Sequence, residues 1–152
     1  MQTERTFSFV KPESVMRGLI GEIITRFERK GLILVAGKLA WMTTGQAEKL
    51  YEMHKGKPFF QTLVSHVTSG PVFLMIWKGP NAIAVVRNLV GATNPLNAAP
   101  GTIRGDFAIS LTPNAIHAAD SPANAERELS IFFAPNEITN YSKPTEDKYL
   151  LR

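Results

Sequence analysis

The run VFLMIW at residues 72–77 leaves this chain the least conformational freedom. It is strand length, uninterrupted by any polar residue and closed by Gly79-Pro80, so it predicts a central strand. The other strands follow from similar signals. Residues 6–10 alternate and stop at Lys11-Pro12, because proline has no amide to donate to a ladder. That leaves Lys11 at a strand end. Residues 32–36 are continuously apolar and residues 38–42 extend them. Ile103, Phe107, Ile109 and Leu111 give a fourth strand, whose register turns Arg104, Asp106 and Ser110 to the opposite face.

Helical spacing separates these segments. Ile20, Ile23, Ile24 and Phe27 form one stripe, ended by Gly31. Thr43 and Gln46 make a capping box for a helix running to about His54, on which Ala47, Leu50, Tyr51 and His54 share a face directed at the core or a cleft. Phe59, Phe60, Leu63, Val64 and Val67 form a further stripe, and an adjacent phenylalanine pair covers more than one face, which leaves one ring for a ligand. Asn81 caps a helix packed through Ile83, Val86, Leu89 and Val90 and ended by Gly91. Arg87 lies at the margin of that stripe, where a snorkelling arginine and an anion site explain it equally. Ser121-Pro122 opens a last helix through Ala125, Leu129, Phe132 and Phe133, with Glu128 beside the apolar face.

The resulting order is strand, helix, strand, strand, helix, strand, with extra helices after the second strand and at the end. It predicts an α+β fold, a ferredoxin-like sandwich in which a four-stranded antiparallel sheet is covered by helices. Residues 1–134 form a single domain. Residues 135–152 are a polar, extended C-terminal tail, with Ile138, Tyr141, Tyr149 and Leu150 as anchors to the body or to a neighbouring subunit.

Composition narrows the function. A chain of 152 residues with 44% hydrophobic and 20% charged residues supports one globular core. No cysteine is present, which removes disulfides, thiolate zinc sites and a thiol nucleophile. Net charge is +4, compatible with an anionic partner or with a solvated basic surface, and no long basic run suggests a nucleic-acid arm. The start MQTERTFSFV lacks the apolar run of a signal peptide or membrane span, so a cytoplasmic protein is expected. GxxxxGK[ST], HExxH and GxSxG motifs are all missing.

What remains is His117, framed with Asn114 in a polar turn between the fourth strand and the last helix. Rigid supports on both sides suit a nucleophile. The aperiodic loop ATNPLNAAPGT at residues 92–102 is bracketed by Arg87 and Arg104, with the Thr93 hydroxyl between them. Such a set resembles a phosphate-binding arrangement.

Several segments then match a known family in order: VKP at residues 10–12, RGLIGEI at 17–23, RFERKG at 26–31, HKGKPFF at 54–60, SGPV at 69–72, GATNP at 91–95, PGTIRGDF at 100–107 and NAIHAADS at 114–121. Along residues 4–134 the chain closely resembles nucleoside diphosphate kinase. The resemblance implies transfer of the γ-phosphate of a nucleoside triphosphate, typically ATP, to a nucleoside diphosphate through a phosphohistidine at His117, by a ping-pong route. It gives Glu128 the orienting of the ring and Lys11, Arg87, Thr93 and Arg104 the phosphates. Tyr51 stands beside the histidine, and Asn114 contacts sugar or phosphate oxygens. The base lies between Phe59 and Leu111, with Leu63 nearby, in a slot tolerant of base and sugar. Mg²⁺ is implied as a companion of the nucleotide, carried on its phosphates with few or no direct ligands from the protein. A homo-oligomer is implied too, a hexamer in preference to a tetramer.

The sequence departs from the family pattern at a few places. Ala118-Ala119 stands where Gly-Ser is usual, removing a hydroxyl that helps position Glu128. Glu13-Ser14 replaces Asp-Gly, Leu111 a valine, and Thr112-Pro113 a Gly-Arg pair. Every phosphate ligand and the nucleophile remain. Their joint presence weighs against the competing reading, a regulatory nucleotide- or RNA-binding module that has lost turnover.

Overall fold

The structure is a computed structural model that describes residues 3–143, 148 and 149. Its sheet has four strands, β1 (Thr3–Val10), β2 (Ile33–Trp41), β3 (Pro71–Pro80) and β4 (Ile116–Ala118), in the order β2-β3-β1-β4 with every neighbour antiparallel. This is the ferredoxin-like arrangement expected from the sequence. The α-helices around it, among the described residues, are α1 (Pro12–Met16), α2 (Ile20–Lys30), α3 (Thr44–Leu50), α4 (Phe60–Val67), α5 (Ala82–Val90), α6 (Ile103–Phe107) and α7 (Pro122–Phe132).

Both faces of the sheet are covered. On one side Phe7, Phe9, Leu74 and Ile76 pack with side chains of α3, α4 and α7; on the other, Val10, Met75 and Trp77 pack with α2, α5 and α6. That double cover explains why VFLMIW does not alternate. Continuous apolar strands are the habit of parallel sheets, but here the helices after β2 and the last helix seal the second face of an antiparallel one. Several local signals act as read: Thr43 and Gln46 form the capping box, Gly31 ends α2 at φ 106°, and Ser121 caps α7 by accepting from the Asn124 amide.

The fourth strand is not where alternation placed it. Residues 103–107 are α6, opened by the Thr102 hydroxyl accepting from the Gly105 amide, and β4 lies further on, around His117 itself. Ile103 and Phe107 are four apart, a helical spacing, whereas Ile109 and Leu111 are exposed and have no core to alternate against. Arg104 is consequently buried rather than turned to an outer face. Gly105 permits the close packing of α6 on the preceding loop, since a Cβ there would lie 2.0 Å from the Ala99 carbonyl oxygen. Asn81 also departs from expectation: at φ 51° it makes no side-chain cap, and Glu4 of β1 accepts from the Ile83 amide instead.

The tail starts against the body. The Thr139 amide donates to the Val35 carbonyl (2.8 Å), the Tyr141 hydroxyl to the Leu34 carbonyl (2.9 Å), and Ile138 packs on the core. Tyr149 is exposed, and Leu150 lies outside the described residues.

Candidate active site

His117 occupies the middle of β4, directly opposite Phe9 in β1. The chain turns into this short strand through Ala115 at φ 78°, a left-handed position that a side chain tolerates only when its surroundings impose it. The imidazole stacks on Phe9 (centroids 5.0 Å apart, 23° between planes) and meets the edge of Tyr51 at 6.1 Å. Its Nε2 is hydrogen-bonded to Oε1 of Glu128 on α7, a carboxylate only 3% exposed. The pairing forms without the usual hydroxyl: Ala119 is buried with Ile83 and Ala125 in a small apolar cluster. In the neutral tautomer that donates from Nε2 to this carboxylate, Nδ1 is the nitrogen with the available lone pair.

Cations gather on the same cleft, which has a volume of about 520 Å³. Lys11, at the end of β1, donates to Asn114 Oδ1 (2.7 Å) and to the Thr112 carbonyl (3.1 Å), and Asn114 donates in turn to the Thr93 carbonyl (3.0 Å). Burial first, and then the Arg104 charge, push the Lys11 ammonium down to about 8, while Glu13 opposes them. Arg104 donates to the carbonyls of Asn114, Gly91 and Ile116 at 3.2, 3.3 and 2.7 Å. Burial and the neighbouring Arg87 bring its guanidinium down to about 10, so it keeps its charge at neutral pH. Arg87 donates to the Ala118 carbonyl at 3.2 Å, one residue past the histidine.

The opposite wall is aromatic. Of the adjacent phenylalanines, Phe60 is buried and Phe59 is 45% exposed, so Phe59 is the ring left open to the cleft. His54 approaches it edge-on with centroids 5.1 Å apart, and burial followed by the Lys57 charge lowers the basicity of His54. Leu63 and Leu111 complete this end of the cleft. Tyr51 is buried at its floor; burial, then the Glu128 charge, raise its phenol, which therefore stays a hydroxyl donor.

The cleft thus brings together Lys11, Tyr51, Phe59, Leu63, Arg87, Thr93, Arg104, Leu111, Asn114, His117 and Glu128, each singled out from the sequence. It also exposes members that sequence reasoning passed over, notably Met53, Asp120 and Asn124. Asp120 accepts from the Asn124 side chain (2.7 Å), which, with lesser help from Arg87, lowers its carboxyl. Asp120 lies just before α7 and Asn124 in its first turn, and the turn from β4 into that helix brings both to the cleft beside His117. Among the described residues no group of three or more acidic, histidine or cysteine side chains could hold a metal ion, and no helix is long and apolar enough to cross a membrane.

A ferredoxin-like sheet that presents an imidazole, three cations and an open aromatic ring to one cleft has the makings of a phosphotransferase acting on nucleotides without a P-loop. The comparisons with known proteins make the class specific: the sequence model of nucleoside diphosphate kinase matches residues 4–138, and the chain belongs to that family. It is 58% identical over 144 residues to the nucleoside diphosphate kinase of Archaeoglobus fulgidus, covering 95% of both chains, and 55% identical to that of Thermosipho melanesiensis. Its fold superposes with a TM-score of 0.94 on a halophilic nucleoside diphosphate kinase from Halobacterium salinarum in complex with CDP, at 46% identity over 97% of this chain and 98% of that one. A family member from Babesia bovis gives 0.92, also at 46% identity, over 95% and 98%. The protein is accordingly an enzyme that moves a phosphate between nucleotides, by the ping-pong phosphohistidine route general to the family.

Proposed function

We propose that His117 is the residue phosphorylated. The observation that carries this is the Glu128 contact at Nε2, which leaves Nδ1 unprotonated in a cleft lined by cations. The Nδ1 lone pair attacks the γ-phosphorus, the bond from phosphorus to the bridging oxygen breaks, and the diphosphate leaves. A terminal oxygen of a second diphosphate then attacks the same phosphorus and the P–N bond breaks. As Nδ1 bonds, positive charge develops on the ring, and the Glu128 carboxylate at the far nitrogen stabilises it. Lys11, Arg87, Arg104 and the Thr93 hydroxyl balance charge on the transferring oxygens, and Tyr51 donates beside the ring. Asn114 serves the sugar or phosphate oxygens while bracing Lys11. The base stacks between Phe59 and Leu111 with Leu63 behind, a slot that reads no base edge and accepts purines and pyrimidines alike. The CDP carried by the Halobacterium salinarum relative fits a slot of this kind.

Mg²⁺ would enter on the nucleotide phosphates, neutralising their charge. Asp120 is the cleft carboxylate not committed to the histidine, and a lone carboxylate suits an ion that keeps most of its water. A cytoplasmic homo-oligomer, a hexamer before a tetramer, completes this reading. Leu39 and Trp41 on the edge strand β2 and Leu96 in the loop before α6 offer exposed apolar surface for subunit contacts. A solution mass other than six chains would remove the hexamer.

Incubation with γ-labelled ATP tests the function: the protein should take up an acid-labile, base-stable label and lose it to ADP, GDP, CDP and UDP with similar efficiency. An unlabelled protein sinks the proposal, and discharge by one base alone sinks the stacking slot. The buried ammonium gives a pH prediction. Free Lys11 loses its proton as pH rises through about 8, and polyphosphate restores it. Nucleotide binding near pH 8 should therefore take up a proton, and affinity should fall above that pH. Calorimetry in buffers of different ionisation enthalpy measures the uptake; an unchanged uptake in Lys11→Met would place it elsewhere.

A further inference from the structure

Arg127 precedes Glu128 on α7 and reaches in a different direction. Its Nη1 donates to the Lys49 carbonyl (2.8 Å), its Nη2 to the Leu50 carbonyl (3.2 Å) and its Nε to Asn124 Oδ1 (3.4 Å), with Glu52 Oε1 at 3.6 Å. Lys49 and Leu50 end α3, and Tyr51 follows at once, with His54, Phe59 and Leu63 further along the same helical hairpin. A helix C-terminus favours a cation, and the planar fork of a guanidinium fixes two successive carbonyls in one geometry, which the rotating donors of an ammonium do not impose. Neighbouring residues of α7 therefore grip the two halves of the cleft: Glu128 the imidazole, Arg127 the wall facing it. The hairpin is also held by apolar packing, because Ala47, Leu50, Phe60 and Val64 are buried in the same core cluster as Leu129 and Phe132.

We propose that Arg127 is a positioning residue that sets the base wall against His117, so that transfer from nucleotides depends on it and transfer from a donor without a base does not. The proposal rests on His117 as the phosphorylated residue. The test compares labelling by ATP with labelling by phosphoramidate, whose P–N bond breaks as the bond to His117 forms and ammonia leaves. Because both rates come from one preparation, their ratio is independent of the fraction folded. In Arg127→Ala the ratio of ATP to phosphoramidate rates should fall about tenfold, a factor in keeping with a small misplacement of bound substrate. In Arg127→Lys the ratio should fall by about threefold, because an ammonium keeps the charge but lacks the rigid planar fork, and this variant carries the comparison if the alanine variant does not fold. A ratio unchanged within about twofold overturns the proposal, whether both rates drop or neither does. A wild-type protein labelled by neither donor overturns the reading of His117, and this one with it.

Discussion

His117→Ala should take up no label from γ-labelled ATP and lose turnover by a factor on the order of 10⁴ or more, as removal of a nucleophile does elsewhere. Every other group in the cleft survives this change, so nucleotide affinity should hold within a few-fold, separating chemistry from binding. The substitution has a second expected effect. Glu128 is buried, and its side chain is hydrogen-bonded to the imidazole. Deprived of that bond, its carboxylate should cost the fold about 1 to 3 kcal/mol, measurable by chemical denaturation. Adding Glu128→Leu to the same chain should recover part of the loss, since removing both partners is gentler than stranding one. Residual label in His117→Ala would move the phosphorylated residue elsewhere.

Arg104→Ala is the second large effect. The guanidinium is buried and joins three carbonyls, those of Gly91 after α5, Asn114 before β4 and Ile116 within it. Losing it leaves all three without that donor and frees the turn through Ala115, at a cost of about 3 to 4 kcal/mol. Nucleotide affinity should fall together with stability, because the same side chain braces the strand that carries His117 and contributes charge to the cleft. Arg104→Lys should keep part of the affinity but little of the stability, having no fork to span separate carbonyls. Unchanged denaturation of the alanine variant would contradict the bracing role.

The sequence carried most of the sheet because its signals are local: a run such as VFLMIW or the stop at Lys11-Pro12 needs no distant partner to be read. The helices with caps were legible for the same reason. The error around residues 103–111 has a different origin. Ile109 and Leu111 continue an apparent alternation but are exposed, while the actual strand is three residues long and has no room for a periodic pattern. The cleft members were legible as residue types with matching motifs. Asp120 and Asn124 were not, because polar residues at a helix start are ordinary capping chemistry until the fold turns them toward a histidine. Arg127 was hidden more thoroughly, since its partners are main-chain carbonyls 77 and 78 residues away and carry no side-chain signature.

The pairing of β4 with β1 governs when this chain becomes competent during synthesis. Phe9 emerges early, but the strand that carries His117 pairs with it only after more than a hundred further residues have followed. Helix α7, which supplies Glu128, comes later still. A growing chain can build β1, β2 and β3 with their helices before the cleft around His117 is assembled, so the proposed chemistry would arrive with the closing contact. A shortened product that ends before α7 would accordingly carry all four strands and lack the carboxylate that meets its histidine.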